Sequence, residues 1–463
     1  MRKYADLIDQ TFDFPTEEFR INNDQLLFNE VDLMALIEKY GTPFKLTYLP
    51  KISERIKSAK KFFEDAIKKH KYEGKYTYAY CTKSSHFQFV LKEVLKNDSH
   101  IETSSGYDIA IVENLYKNGK LNKDTYILCN GFKKELYMQK IVGLLNTGFS
   151  NCIPLLDHMS ELDYYLEHAK EEFQMGIRVA SDEEPNFAFY TSRLGVRYSD
   201  ITSFYQDKIK ANPKAKLKML HFFINTGIKD TAYYWSELSR FIFKYCELKK
   251  ICPELDSIDI GGGFPIKNSL QFEYDYKYMA DQIVQNIKWI CGKNHVEVPN
   301  IFTEFGSYTV GESGATIYSV LDQKLQNDKE LWYMMDGSFI THMPDVWGLN
   351  SKFIMLPVNL WKNRYHKVNI GGLTCDSMDY YDSEAHIAEV FLPVINEEEK
   401  MYFGFFHTGA YQESLGGYGG VQHCLIPAPR HVIVEKDENG VLTDRVFSEE
   451  QSSDKMLELL GYQ

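Results

Sequence analysis

The sequence predicts an α/β protein: a (β/α)8 TIM-like barrel joined to a mainly antiparallel β domain. From Tyr76 to Gly306, short apolar runs alternate with longer amphipathic stretches. That is the pattern of parallel strands connected by right-handed crossovers. Eight strand–helix units over roughly 230 residues match the size of a closed barrel, and an open doubly wound sheet is the alternative with the same periodicity. After Gly314 the helical periodicity fades, and strand-like segments with turn-rich connections replace it.

The barrel strands are expected at Tyr76–Thr82, His100–Thr103, Thr125–Cys129, Cys152–Leu156, Gln174–Val179, Leu217–Ile224, Ser257–Ile260 and Asn300–Glu304. Aromatic and β-branched residues dominate them, as buried parallel strands require. Helices are expected at Phe87–Lys96, Tyr107–Lys117, Lys133–Leu145, Ser160–Lys170, Thr231–Leu248 and Tyr274–Trp289, with Ile52–Lys69 packed outside the first strand. In the β domain, strands are expected at Phe44–Leu49, Thr316–Leu321, Leu331–Met335, Val368–Cys375, Ala388–Leu392 and Arg430–Val434. The division that follows is residues 50–314 for the barrel, and residues 1–49 with 315–463 for the β domain.

The 463 residues exceed one small domain, and 44% hydrophobic and 14% aromatic content is ample for two cores. A net charge of −13 argues against nucleic-acid binding and suits a cationic small molecule. The eight cysteines show no C-x-x-C pair and no zinc-type spacing, so neither a disulfide framework nor a metal site is expected. Met1-Arg-Lys-Tyr-Ala-Asp lacks the apolar core of a signal peptide, and no stretch reaches transmembrane length. A cytoplasmic protein without membrane partners is the expectation.

A barrel places its reactive groups at the C-terminal ends of its strands. Those ends carry Lys83, Glu102-Thr-Ser-Ser105, Asn130, Asp157, Arg178, His221-Phe-Phe-Ile-Asn-Thr-Gly227, Gly261-Gly-Gly263 and Glu304-Phe-Gly306. A lysine at the end of a buried strand is costly to desolvate, and its lowered pKa lets it form a Schiff base with a carbonyl. Alone, Lys83 reads more readily as an ordinary strand-ending cation reaching solvent. Gly261, Gly262 and Gly263 let backbone N–H groups approach an anion, where barrels recurrently bind phosphate; they do not form G-x-G-x-x-G, so a dinucleotide fold is excluded. Lysine, phosphate cradle and the carboxylate of Glu304 together suggest pyridoxal phosphate, with Glu304 pairing the pyridine nitrogen so that the ring draws electrons.

At these residues the chain resembles the fold-type III pyridoxal-phosphate decarboxylases, the group acting on ornithine, diaminopimelate and arginine. The resemblance runs through Cys129-Asn-Gly-Phe-Lys133, Ser192-Arg-Leu-Gly195, Leu220-His-Phe222, Asp259-Ile-Gly-Gly-Gly263, Pro344-Asp-Val-Trp-Gly348, Thr374-Cys-Asp-Ser377 and Gly409-Ala-Tyr-Gln-Glu413. The two motifs around Asp345 and Cys375 point to the arginine branch. The resemblance implies that Lys83 holds the cofactor covalently and that Glu102, His221, Phe223, Thr226, the three glycines and Glu304 surround it. Tyr411 would bond its phosphate. Cys375 would return a proton to the carbon that loses carbon dioxide, reaching across a homodimer interface, and Asp376 would hold the substrate's distal cation. A carboxylate accepts two parallel bonds from a guanidinium, so Asp345 and Asp336 are further candidates for that role.

The implied reaction is decarboxylation of arginine to agmatine, as in polyamine biosynthesis. The same chemistry on ornithine, lysine, diaminopimelate or a carboxylated polyamine is the alternative, and an inactive regulatory relative is a third. Three departures from the family pattern stand out: Phe223 where the family has a histidine, Ser307 where it has a phosphate-binding arginine, and a chain shorter than the arginine enzymes.

Overall fold

The computed structural model describes residues 18–182, 190–385 and 387–462. The reading of Met1–Asp6 lies outside the described residues. The chain divides into two compact units: residues 53–265 with 274–309, and residues 1–52, 266–273 and 310–463.

In the first unit eight parallel strands close on themselves. They are Tyr76–Cys81, His100–Thr103, Ile127–Cys129, Cys152–Leu156, Phe173–Arg178, Ala215–His221, Ser257–Asp259 and Asn300–Phe305. The last pairs with the first, Glu304 beside Ala79. That closure removes the open doubly wound sheet. Ala79, Leu128, Ile153, Leu155, Met219 and Phe302 form an apolar cluster of buried side chains from five strands, a packed core of the kind that fills barrels. Gly176 fits there because a Cβ would lie 2.5 Å from Leu155.

The expected helices form, with ends shifted by one to five residues. Their starts are set by local chemistry: Ser105, Thr231 and Asp275 each accept a bond from a backbone N–H three residues on, which satisfies an otherwise orphaned donor. The helix expected at Ile52–Lys69 runs from Leu49 to His70. A helix between the fifth and sixth strands was not anticipated. Tyr198–Phe204 continues as a π turn, Tyr205–Ile209, and buries Ile201, Phe204, Tyr205 and Ile209.

The second unit is a ten-stranded mixed sheet with a small three-stranded one. Its centre is the long strand Gly314–Gln326, paired antiparallel with Phe44–Tyr48, Tyr402–Phe406 and Glu330–Met335. Two pairings are parallel: Arg430–Lys436 with Phe44–Tyr48, and Tyr365–Gly371 with Glu330–Met335. Ile354–Pro357, Tyr402–Phe406 and Leu442–Ser448 are strands that the sequence reading passed over. The strand expected to reach Cys375 stops at Gly371. Beyond it Asp379, buried, accepts bonds from the Thr374 N–H (3.1 Å) and hydroxyl (2.7 Å) and from the Phe339 N–H (2.7 Å). Residues 372–379 therefore form a braced loop rather than a strand end. Among the described residues no helix is long and apolar enough to cross a membrane.

Candidate active site

Three strand ends of the barrel meet around Glu304. Its Oε2 lies 3.0 Å from His221 Nε2 and accepts from Asn130 Nδ2 at 3.2 Å. Arg178 Nη1 donates to Asn130 Oδ1 at 3.1 Å. All four side chains are buried. Burial would raise Glu304, but the charge and hydrogen bond of His221, with Lys83 and Arg178 nearby, outweigh it and hold the carboxyl below its usual range. For His221 itself, burial outweighs the pull of Glu304 and moves the ring's pKa down. Glu304 Oε1 has no partner among the described residues, and a buried carboxylate oxygen without a donor is costly. The protonated ring nitrogen of a bound pyridoxal phosphate would supply such a donor.

Beside it, burial and then the charge of Glu304 push Asp259 well above the carboxylate range. Asp259 Oδ1 accepts from the Gly261 N–H at 2.8 Å, fixing the entry to the glycine turn.

Gly261 and Gly263 have φ of 68° and 110°, conformations that side chains resist. A Cβ on Gly262 would lie 2.0 Å from the Glu304 carbonyl oxygen, and one on Gly263 would lie 2.7 Å from Gly227. The two loops approach closely through their backbones, and the Ile228 N–H donates to the Gly263 carbonyl at 2.9 Å. Thr226 Oγ1 is buried without a partner, and the N–H groups of Gly262 and Gly263 donate to no described acceptor. Unspent donors on a glycine turn that admits no side chain fit a phosphate group. Gly262→Ala is expected to weaken pyridoxal phosphate binding by at least about tenfold, since one misplaced methylene costs about 1–3 kcal/mol. A cofactor titration monitored by absorbance and tryptophan fluorescence measures it.

Lys83 lies in a single 3₁₀ turn, Thr82–Ser84, just past the first strand rather than on it. Its Nζ is 3.9 Å from Glu102 Oε1, at the limit of ion pairing, and its side chain is 44% exposed. Glu102 is fully buried, and neither oxygen has a hydrogen-bond partner among the described residues. Burial pushes its carboxyl up to about 7, against the pull of Lys83. A carboxyl raised on folding stabilises the fold fully only below its unfolded value, and that contribution is lost as pH rises towards 7. In the cofactor-free protein, Glu102→Gln is therefore expected to flatten the fall of stability between about pH 4.5 and pH 7, by on the order of 3 kcal/mol at most. Urea unfolding at stepped pH gives the comparison.

Phe223 follows the sixth strand, half-buried, with its ring centroid 5.9 Å from the Arg178 guanidinium. A phenyl face and a cation thus occupy the place where the family pattern has histidine. Lys133, from the Cys129–Lys133 motif, is wholly buried and donates to the Leu155 (2.5 Å) and Gly131 (2.9 Å) carbonyls, with Glu161 at 3.0 Å. It braces the strand ends and has no donor left for a ligand.

The other unit holds the remaining predicted residues. Cys375 is exposed; Asp376 accepts from the Met378 N–H at 2.8 Å through Oδ1, leaving Oδ2 without a partner among the described residues. Asp345 bonds Gln412 Nε2 at 2.8 Å and is raised by burial. Asp336 accepts from Thr42 and from both the N–H and the hydroxyl of Ser319, so its oxygens are already satisfied. Tyr411 adopts φ 68° at the start of the short helix Gln412–Leu415.

The residues of this network left unassigned from the sequence are Asn130, Arg178, Asp259 and Asp379. Asn130, Arg178 and Asp259 adjoin or end strands already recognised, and Asp259 opens the glycine motif. Asp379 gave no signal.

Comparison with known proteins agrees with this geometry. Residues 49–311 match the model of the pyridoxal-dependent decarboxylase pyridoxal-binding domain. The chain is 22% identical to the biosynthetic arginine decarboxylase of Prochlorococcus marinus (strain MIT 9215), over 94% of this chain and 85% of that one. The crystal structure of the biosynthetic arginine decarboxylase from Campylobacter jejuni superposes with a TM-score of 0.83 at 21% identity, covering 100% of this chain and 91% of that one. Diaminopimelate decarboxylase from M. jannaschii gives 0.80 at 18% identity, with 96% and 97% covered. With more than half of its length matched by the family model and a barrel end whose unspent donors and acceptor fit pyridoxal phosphate, the chain belongs to the pyridoxal-dependent decarboxylases.

Proposed function

We propose that this enzyme converts arginine to agmatine and carbon dioxide. The observation that carries the choice of a basic substrate is the Cys375-Asp376 loop, which holds a carboxylate oxygen open beside an exposed thiol on a frame braced by Asp379. The arginine enzymes that align with nearly the whole chain support the same reading.

Bound pyridoxal phosphate supplies an electron sink next to the carbon that loses carbon dioxide. The residues of this chain do the rest. Lys83 holds the cofactor covalently, and the N–H groups of Gly262 and Gly263 with the Thr226 hydroxyl bind its phosphate. Tyr411 adds a further phosphate bond, and Phe223 covers one ring face. Glu304, kept ionised by His221 and Asn130, holds a proton on the ring nitrogen; Arg178 fixes Asn130 from behind, and Glu102 keeps a carboxyl close to Lys83. Cys375, from the partner in a homodimer, returns a proton to the substrate carbon, and a thiol is a competent general acid when positioned. Asp376 accepts the guanidinium. Asp336 is unsuited to that role because its oxygens are spent, and Asp345 is partly engaged by Gln412. The barrel domain, residues 50–314, binds the cofactor, and residues 1–49 with 315–463 carry the Cys375 and Tyr411 motifs.

The test is carbon dioxide release from a panel of arginine, ornithine, lysine, diaminopimelate and a carboxylated polyamine. Arginine is expected to give the highest kcat/KM, and Asp376→Asn to lower it by about 10²-fold, chiefly through KM, as loss of a bidentate charged pair does. Turnover of diaminopimelate but not arginine would remove the substrate assignment, and no turnover of any member would remove the activity.

A further inference from the structure

The loop that carries Cys375 also brings together a second set of ligand-type side chains. Cys375 Sγ lies 3.4 Å from Cys424 Sγ, although 49 residues separate them in sequence. His423 completes a triangle whose donor atoms all lie within 4.8 Å of one another, and all three residues are exposed. The other six cysteines are buried, where a thiol acts as a small apolar side chain. Two thiols and an imidazole converging at the surface bury little apolar area, so packing does not account for them.

The spacing discriminates between the two chemistries open to such a pair. A disulfide requires the sulfurs to close to about 2.05 Å. Tetrahedral zinc, with Zn–S bonds of about 2.3 Å, sets its sulfurs about 3.7 Å apart. The observed separation lies much nearer the second. Two thiolates and one imidazole form the soft to borderline donor set that favours zinc over magnesium or calcium.

We propose that Cys375, His423 and Cys424 form a binding site for a thiophilic divalent cation of the zinc class. The metal is held by two sulfurs and one nitrogen, with its fourth position left to water, and uptake releases the protons of the ligating thiols. An occupied site withholds the Cys375 proton from catalysis; that consequence alone rests on the proposed function.

The test is anaerobic titration of the reduced, metal-free full chain with cobalt(II), then competition with zinc(II), in the absence of cofactor and substrate. One equivalent is expected to bind with thiolate-to-cobalt charge-transfer absorption. Cys424→Ser and His423→Ala should each weaken binding by more than the roughly tenfold that even an outer-shell change costs. Both residues are exposed, and circular dichroism melting shows whether the variants are folded. Absence of the charge-transfer band, or equal binding in wild type and both folded variants, overturns the site. So does a reduced protein that binds no cobalt yet forms a Cys375–Cys424 disulfide on exposure to peroxide, the two thiols giving two protons and two electrons as peroxide becomes two waters. Because no turnover is measured, the outcome is independent of the decarboxylation assay.

Discussion

Lys83→Ala is expected to lose the visible absorbance of covalently held cofactor and to lower carbon dioxide release by about 10³- to 10⁴-fold, the range for removing a group that takes part directly in the chemistry. The fold should survive. Lys83 sits in a one-turn 3₁₀ segment with a side chain 44% exposed, so its removal leaves no cavity in the barrel core. Its loss also leaves Glu102 without the nearby cation that restrains its pKa, and that carboxyl should then protonate at still higher pH. The absorbance spectrum, with kcat from single-turnover measurements, gives the comparison. Full activity in the variant would remove Lys83 from the mechanism. Mixing Lys83→Ala with Cys375→Ala should restore part of the activity if sites are shared between subunits, because one site of a mixed dimer keeps both residues; no recovery in a demonstrated mixed dimer would argue for sites built within one chain.

Glu304→Gln carries the second large effect. Glutamine keeps the shape and the bond to Asn130 but cannot hold a proton on a ring nitrogen by charge. Removal of one preorganised electrostatic partner costs about 10²–10³ in kcat, and that is the expected loss, with KM changed little. Stability moves less. Arg178 loses a nearby opposing charge to which it is linked only through Asn130. Asp259 loses the neighbouring charge that, after burial, helps to hold its pKa up, and this offsets part of the change. Denaturant unfolding of the cofactor-free variant should therefore show a deficit below about 3 kcal/mol. A kcat within tenfold of wild type would place the ring-nitrogen partner elsewhere.

The barrel was legible because buried parallel strands are nearly continuous apolar runs: Tyr76–Cys81 and Cys152–Leu156 announce themselves without their neighbours. Their convergence was legible too, since closure brings every strand end to one rim. The contacts among those ends were not. That Asn130 joins Arg178 to Glu304 depends on which side chains meet across the barrel, and the opposite pKa shifts of Glu304 and Asp259 depend on neighbours that no local pattern encodes. The β domain was harder for a different reason. Ile354–Pro357 and Tyr402–Phe406 pair with each other, but each is short and sits among turn residues, so neither has the length that separates a strand from a loop. Cys375 was read at the end of a strand because Val368–Gly371 is β-branched and apolar up to the glycines; the brace from Asp379 comes from beyond the motif. Cys424 had no pattern at all.

The backbone bond between Ile228 and Gly263 has a consequence for the life of the protein before it meets its cofactor. The phosphate cradle is held by contacts between main-chain atoms on neighbouring loops, so its shape is settled by folding and needs no ligand to assemble it. The ordering entropy of those loops is spent when the chain leaves the ribosome, not when the vitamin arrives. A newly made molecule can thus wait through scarcity in a receptive form and be filled later.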